Sequence, residues 1–428
     1  MKQRVVITGM GVVSPNGIGL KAFAKSLKIG KSGIKKIKEM RDLNLRCQVA
    51  GVPPISQKKI QAFLSKYNLR DIISTGVIYG CMSAVEAWLD AGLEISDKAL
   101  DRSTGCIFGT GSNGAEATQL AIDLYDAGKG VKKTPKNIFM QSIASCVSIY
   151  INGIFGLGNH VTTNSSACST GTEGILEGYY RIVHGEAERM IIGSSESAGT
   201  FVWTPFDAMF ATAQDHNHHP KEASCPLNQN ASGFVPGAGG GALILESLAS
   251  AQKRGAKIYA EILGGHINSG GQRRDGSMTI GNSEGMIRCI ENAVKNCKIK
   301  VKDLDLISGH LTSTIGDIVE MQCWDYVFKR HKISFEKRPY INATKSMIGH
   351  SLSASGSIES IAAILQMNQN FVHPSINAYP LHENIEGIFP HEKIPKTVIE
   401  NINLNTIAKI SFGFGDVNAC VIFQKYKS

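Results

Sequence analysis

Short apolar runs alternate along this chain with stretches in which apolar residues recur every three or four positions, the pattern of an α/β protein. Residues 4–13 form an apolar run that stops at Ser14-Pro15-Asn16-Gly17, which predicts a buried first strand. Helical periodicity covers 73–93, closing at Gly92, and 137–150, with a buried strand expected between them at 104–111. Further strands are expected at 189–193 and 241–245. After a charged surface bend at 253–255 the alternation begins again. It predicts strands at 257–263, 304–309, 340–344, 407–412 and 419–424, and helices at 283–296, 318–327 and 355–367. A length of 428 residues is long for one core. Two α/β halves of similar order, 1–250 and 251–428, predict a duplicated unit fused across a shared core.

One strand-to-helix junction stands out. From Val161 to Ser166 small and β-branched residues alternate, predicting a strand packed on both faces, and from Ile175 to Val183 the spacing is helical. Between them lies Ala167-Cys168-Ser169-Thr170-Gly171, small enough for a tight turn. A cysteine at a helix N-terminus meets the positive end of the dipole, which favours thiolate, and the free N–H groups there suit an oxyanion.

Composition narrows the classes. The ten cysteines are scattered without C-x-x-C pairs, which argues for a reducing, cytoplasmic setting and against a disulfide framework or structural zinc. The N-terminal apolar run is broken by glycine and shows no cleavage-site pattern, so a secretion signal is not expected. No apolar run reaches the ~18 residues of a membrane span. Gly9-Met10-Gly11 lacks the third glycine and helix onset of a dinucleotide fingerprint. The net charge of +9 is spread over 21–38, 129–136 and 298–302 without interleaved aromatics. That excludes a nucleic-acid footprint and points to solvated faces or an acidic protein partner.

Three more segments place polar residues at strand ends, where α/β proteins assemble their sites. They are Ser308-Gly309-His310-Leu311-Thr312-Ser313-Thr314-Ile315-Gly316-Asp317, Asn342-Ala343-Thr344-Lys345-Ser346-Met347-Ile348-Gly349-His350 and Ser411-Phe412-Gly413-Phe414-Gly415-Asp416. Each histidine alone is one of twelve. Together with Cys168 they offer a thiol nucleophile, two imidazoles and a backbone-amide loop, a set suited to acyl transfer.

These motifs, with Val5-Val6-Ile7-Thr8-Gly9-Met10-Gly11 and Gly233-Phe234-Val235-x-Gly237, stand in the order found in β-ketoacyl-acyl-carrier-protein synthases of the elongating Cys-His-His type. The chain resembles that family over nearly its whole length. The resemblance implies a thiolase-like fold, duplicated halves forming a five-layered αβαβα core. It also implies a decarboxylative Claisen condensation that lengthens a fatty acyl, polyene or polyketide-like chain by two carbons. Cys168 matches the residue that takes the acyl chain, and His310 and His350 match the donors to the enolate formed from malonyl-carrier. Lys345 matches the lysine beside them, with Glu359 as its charge partner and Glu320 orienting the site. The resemblance puts the oxyanion hole at the N–H groups of Cys168 and Phe414, pantetheine contacts at Thr312 and Thr314, and an aromatic gate at Phe412 and Phe414. Lys66, Arg70, Lys132 and Lys133 match carrier-binding positions for an acidic acyl-carrier protein. The expected assembly is a homodimer, or a heterodimer with a ketosynthase-like partner. No metal or organic cofactor is implied.

The chain also departs from the family pattern. Leu311 and Asp416 stand where glycine is usual, Ala238 replaces an acidic residue, Glu173 a histidine and Asn230-Ala231 a charged pair, and 270–279 differs from the usual gating loop. With the cysteine and both histidines intact, these departures imply altered substrate or partner choice. Alternatives are a chain-length or scaffold subunit of a heterodimeric ketosynthase, and a non-decarboxylating thiolase. A thiolase should carry a second cysteine in the C-terminal glycine loop, where this chain has Phe414 and Asp416 and places Cys420 in the following strand.

Overall fold

The apolar runs become strands. In the computed structural model, which describes residues 3–96 and 99–427, the first half contributes β1 (Val5–Ser14), β2 (Thr104–Thr110), β3 (Val161–Thr162), β4 (Arg189–Glu196) and β5 (Gly239–Ser247). The second contributes β6 (Ala260–Ser269), β7 (Leu306–Ser308), β8 (Tyr340–Asn342), β9 (Thr406–Gly413) and β10 (Val417–Gln424). Side by side they lie in the order β3-β2-β4-β5-β1 and β8-β7-β9-β10-β6. Counted within each half, both orders read third, second, fourth, fifth, first. In both, the third, second and fourth strands run parallel and the remaining pairings are antiparallel. One topology used twice is what a duplicated unit requires. The two sets join where Val5 faces Ile262 and Ile7 faces Ala260, across β1 and β6.

Helices complete the layers. They include α1 (Thr75–Asp90), α2 (Cys146–Phe155), α3 (Thr170–Val183), α4 (Ser283–Asn296), α5 (Ile315–Arg330) and α6 (Ser355–Gln369). α3 and α6 pack on each other and on strands of both halves. α6 is buried on every side from Ser355 to Met367, as a helix in a central layer must be. α1 and α2 cover the outer face of the first half, and α4, with α5 against it, covers that of the second. The succession helix, sheet, helix, sheet, helix is the expected five-layered core. Two glycines set how closely the central helices meet. A Cβ on Gly171 would fall 2.5 Å from Ser357 N, and one on Gly356 would fall 2.4 Å from Thr172 N. The start of α3, and the cysteine before it, is thereby fixed against the start of α6.

Local expectations needed correction in two places. The strand before Cys168 is only two residues long and partly exposed, because the chain from Asn164 to Ser166 leaves the sheet to reach the turn. The helix expected over 137–150 is two helices, Ile138–Ser142 and α2, separated where Ile143 turns extended (φ −77°, ψ 151°). Gln141 is tied there to Ile73 N, Ser74 N and Asp71 O, which holds the first piece to the segment before α1.

Candidate active site

Cys168 occupies a single 3-10 turn, Ala167–Ser169, directly ahead of α3. Ala167 takes a positive φ of 48°, and Ser169 Oγ donates to Val417 O at 2.9 Å, tying the turn to the β9–β10 hairpin. The hairpin's glycine-aromatic loop lies against the thiol. A Cβ on Gly413 would sit 3.2 Å from Cys168 N, and the N–H of Phe414 donates to Sγ. The N–H groups assigned to the oxyanion hole therefore belong to segments in direct contact.

The two histidines reach the same point from the other half. His350 Nε2 lies 3.1 Å from Cys168 Sγ, and its Nδ1 lies 2.9 Å from Ser355 Oγ at the start of α6. His310, immediately after β7, stands edge-on to His350 with ring centroids 5.4 Å apart. Lys345 Nζ donates to His310 O at 2.6 Å and to Glu359 Oε1 at 2.5 Å, and approaches His310 Nδ1 at 3.5 Å. An ammonium at Nδ1 leaves the His310 proton on Nε2. Glu320 accepts the N–H groups of His310 and Leu311 at about 3.0 Å, fixing the turn that carries the first imidazole. Lys345 and Glu359 thus form an ion pair beside His310, and Glu320 holds the turn that carries it. Thr312 and Thr314 line the cavity and face each other at 2.9 Å.

Cys168, His310, His350, Glu320, Thr312 and Thr314 open into one cavity of about 410 Å³, lined also by Phe412, Phe414, Phe210 and Met209. Burial governs its electrostatics. The Cys168 thiol is pushed up to about 11, with Lys345 and the Phe414 N–H offsetting only part of the desolvation. The expectation of a thiolate is therefore corrected: removal from water outweighs Lys345 and the Phe414 N–H, and the resting thiol keeps its proton. Burial, with Lys345 next, holds both histidines well below their ordinary range, so both are neutral. Glu320 is raised by burial to about 7.

The four carrier positions lie elsewhere. Lys66, Arg70, Lys132 and Lys133 are all exposed, and none lines the cavity. Asn137 Nδ2 donates to Arg70 O at 2.7 Å, so the segment after Lys133 runs beside the Arg70 loop. Cys420, in the strand after the loop where a thiolase would carry its second cysteine, is buried in β10 outside the cavity lining. All ten cysteines are free, and among the described residues no group of three or more His, Cys, Asp or Glu is placed to hold a metal ion. No described helix is long and apolar enough to cross a membrane.

Several site residues had not been assigned roles from sequence. Phe234 meets His350 edge-on at 5.3 Å, and Phe206 reaches both Phe234 and Phe414. Phe234 stood within a quoted motif; Phe206 gave no signal. Asp317 accepts the N–H groups of Thr312, Ser313 and Leu227, holding the threonine turn. Of the departures, Leu311 is buried at a φ of 22° beside Gly309, and Ala238 is buried in the core. Glu173 lies in the first turn of α3, where an acidic side chain suits the dipole. Asp416 points away from the thiol: its carboxylate accepts Gln272 N and Asn282 N, both at 2.9 Å.

Two family models match the chain. The model described as "Beta-ketoacyl synthase, N-terminal domain" matches residues 2–251, and "Beta-ketoacyl synthase, C-terminal domain" matches 259–379. The chain belongs to the β-ketoacyl synthase family. It is 34% identical to 3-oxoacyl-[acyl-carrier-protein] synthase 1 of Haemophilus influenzae, over 99% of each chain. Against the synthase 1 of Escherichia coli K12 it is 31% identical, over 99% of this chain and 100% of the relative. Among solved structures, a type II PKS acyl-carrier protein in complex with its ketosynthase bound to the hexaketide (AntDE:AntF) matches at a TM-score of 0.87 and 26% identity, covering 100% of both chains. The ishigamide ketosynthase/chain length factor matches at 0.86 and 24%, which speaks to the fold.

Proposed function

We propose that the protein condenses an acyl chain held on Cys168 with malonyl-acyl-carrier protein, with loss of carbon dioxide. The observation that carries this reading is the convergence of the Cys168 thiol, the His310 and His350 rings and the Phe414 N–H in one cavity. In the first half-reaction Cys168 Sγ attacks the acyl thioester, with His350 Nε2 taking its proton. The carbon–sulfur bond to the carrier's pantetheine breaks, and the proton passes to the departing thiolate. Ser355, whose hydroxyl both donates and accepts, accommodates either tautomer of His350. In the second half the malonyl carboxylate leaves as carbon dioxide, and its electron pair gathers as an enolate. The Nε2–H groups of His310 and His350 stabilise that charge as it develops. The enolate carbon attacks the acyl-cysteine, the N–H groups of Cys168 and Phe414 hold the resulting oxyanion, and collapse releases the Cys168 thiolate, which takes one proton from solvent.

As proposed, the reaction uses no metal or organic cofactor. The first half, 1–250, supplies the nucleophile and the second, 251–428, both histidines. The partner is an acidic acyl-carrier protein meeting Lys66, Arg70, Lys132 and Lys133, and the active assembly is a homodimer or a ketosynthase-like heterodimer. The relatives' names, which specify an acyl-carrier protein, support the first, and the ketosynthase/chain length factor neighbour is compatible with the second. The unpaired cysteines support a cytoplasmic site of action. The test is direct. Incubation with acyl-carrier alone should leave an acyl mass on Cys168; adding malonyl-carrier should release carbon dioxide and a β-ketoacyl-carrier two carbons longer. Absence of both adduct and product would overturn the reading.

A further inference from the structure

Lys409 is a lysine inside β9, flanked by Ala408 and Ile410, and it is completely buried. Its Nζ donates to Ile410 O, and to Ser411 Oγ at 3.1 Å, and stands 2.9 Å from Glu359 Oε2 as an ion pair off the hydrogen-bond direction. The other oxygen of Glu359 carries Lys345. One carboxylate therefore serves two buried lysines, so among Lys345, Lys409 and Glu359 the basic groups outnumber the carboxylate two to one. An unbalanced charge inside a protein is unfavourable and is rarely retained without a use. Here the use is supplied by the chemistry on the other side of Lys345, where a carboxylate binds and negative charge then spreads onto an enolate.

We propose that Lys409 is a positioning residue for the malonyl half of the reaction: by sharing Glu359 with Lys345, it places net positive charge beneath His310 and His350, which favours the enolate. This rests on the condensation reading above. The mechanism is through-space. Lys409 touches neither cavity nor substrate, but it engages the carboxylate that anchors Lys345, and Lys345 in turn holds His310. Its charge lowers both histidines along with Lys345, so they remain neutral Nε2–H donors. The groups facing this cluster are Glu359 on α6, Lys345 before His350, Glu320 and Asp317 on α5, and Cys168 ahead of α3. His373 and the buried thiol of Cys420 complete the set. Burial raises Glu320 and Asp317 and lowers Lys409, and the carboxylate in ion-pair contact with Lys409 is Glu359.

The experiment compares the full-length protein with Lys409→Met, which keeps the stem and removes the charge, and with Lys409→Arg, which restores it. Acyl loading of Cys168 and malonyl-carrier decarboxylation are measured separately across pH, and the histidine ring signals are titrated by NMR. Lys409→Met should slow decarboxylation about tenfold, less than the ~10²–10³ of losing a donor that touches the oxyanion. It should raise the acid limb and the histidine titrations by about one pH unit, because a neighbouring cation has been removed. Acyl loading should change far less, and Lys409→Arg should return the pH profile toward that of the parent. An unchanged acid limb and an unchanged ratio of the two half-reactions would make Lys409 a packing residue and overturn the proposal. If Lys409→Met does not fold, Lys409→Gln carries the same comparison. A parent protein that neither loads acyl groups nor decarboxylates malonyl-carrier would overturn the condensation reading, and the role of Lys409 with it. A working parent with an indifferent Lys409→Met overturns only the latter.

Discussion

His350 Nε2 stands 3.1 Å from Cys168 Sγ, and burial raises the thiol while lowering the imidazole, so the pair rests as neutral thiol and neutral histidine. This differs from a preformed thiolate–imidazolium pair, which would titrate well below neutrality. The nucleophile is instead generated when a thioester is in place to receive it. Neutral imidazoles are also what the malonyl half needs.

Alkylation reads this directly. With the Cys168 thiol pushed up to about 11, its reaction with iodoacetamide should quicken about tenfold per pH unit between roughly 7 and 10, following the thiolate fraction. It should label ahead of the nine other cysteines, none of which lines the cavity, and acyl substrate should protect it. A rate that is flat above neutrality would establish a standing thiolate and refute the neutral pair.

The histidines should sort by half-reaction. Cys168→Gln should abolish condensation yet keep malonyl decarboxylation, because His310 and His350 remain and the new amide can occupy the acyl-thioester position. Replacing either histidine by Ala should lower decarboxylation about 10²–10³-fold for the lost donor. His310→Ala should leave acyl loading largely intact, since His350 is the imidazole at Sγ. Loss of loading with decarboxylation preserved, in folded His310→Ala, would reverse the assignment.

Charge on the exposed face should govern encounter rather than chemistry. Lys132→Glu with Lys133→Glu should raise the apparent KM for a carrier-bound substrate more than it lowers kcat, and leave a small thioester unaffected. The parent's preference for carrier-bound substrate should fade as salt rises, since the Debye length is only about 10 Å at 0.1 M. Equal salt dependence for the two substrates would remove these lysines from the interface.

What could be read in the sequence follows physical lines. Strands buried on both faces, such as Arg189–Glu196 and Gly239–Ser247, announce themselves as apolar runs, and the amphipathic helix Ser283–Asn296 matches its periodicity end to end. The helix Leu20–Lys28 was hidden because its lysines read as a solvated charged stretch, though Phe23 and Leu27 face inward. The candidate site was legible at Cys168, His310 and His350, whose side chains the structure brings together. Lys409, which acts through a neighbour, left no trace: it is one cation in an apolar strand, and its partner Glu359 lies fifty residues earlier on another element. The dipole argument at Cys168 was sound in sign but silent on depth of burial, which decides the thiol.

Asp416 offers the sharpest test of a departure. At a φ of 63°, a conformation that glycine adopts freely and aspartate tolerates, it follows the turn that presents the Phe414 N–H. Its carboxylate accepts Gln272 N and Asn282 N, its own carbonyl accepts Gly270 N at 3.0 Å, and Gly415 N donates to Met278 O at 2.8 Å. The segment 270–282 is thereby stitched to the Phe414 loop, and Asn282 in turn caps α4. Asp416→Ala strands the buried Asn282 N–H, which should lower stability by about 1–3 kcal/mol in urea unfolding. It should also speed hydrogen exchange across 270–282 and slow acyl loading, because the Phe414 N–H loses its fixed neighbour. Asp416→Asn keeps one acceptor oxygen but turns an amide NH₂ toward the other donor, so its losses should be intermediate. Unchanged exchange and stability in Asp416→Ala would show that the carboxylate does not hold the two loops together.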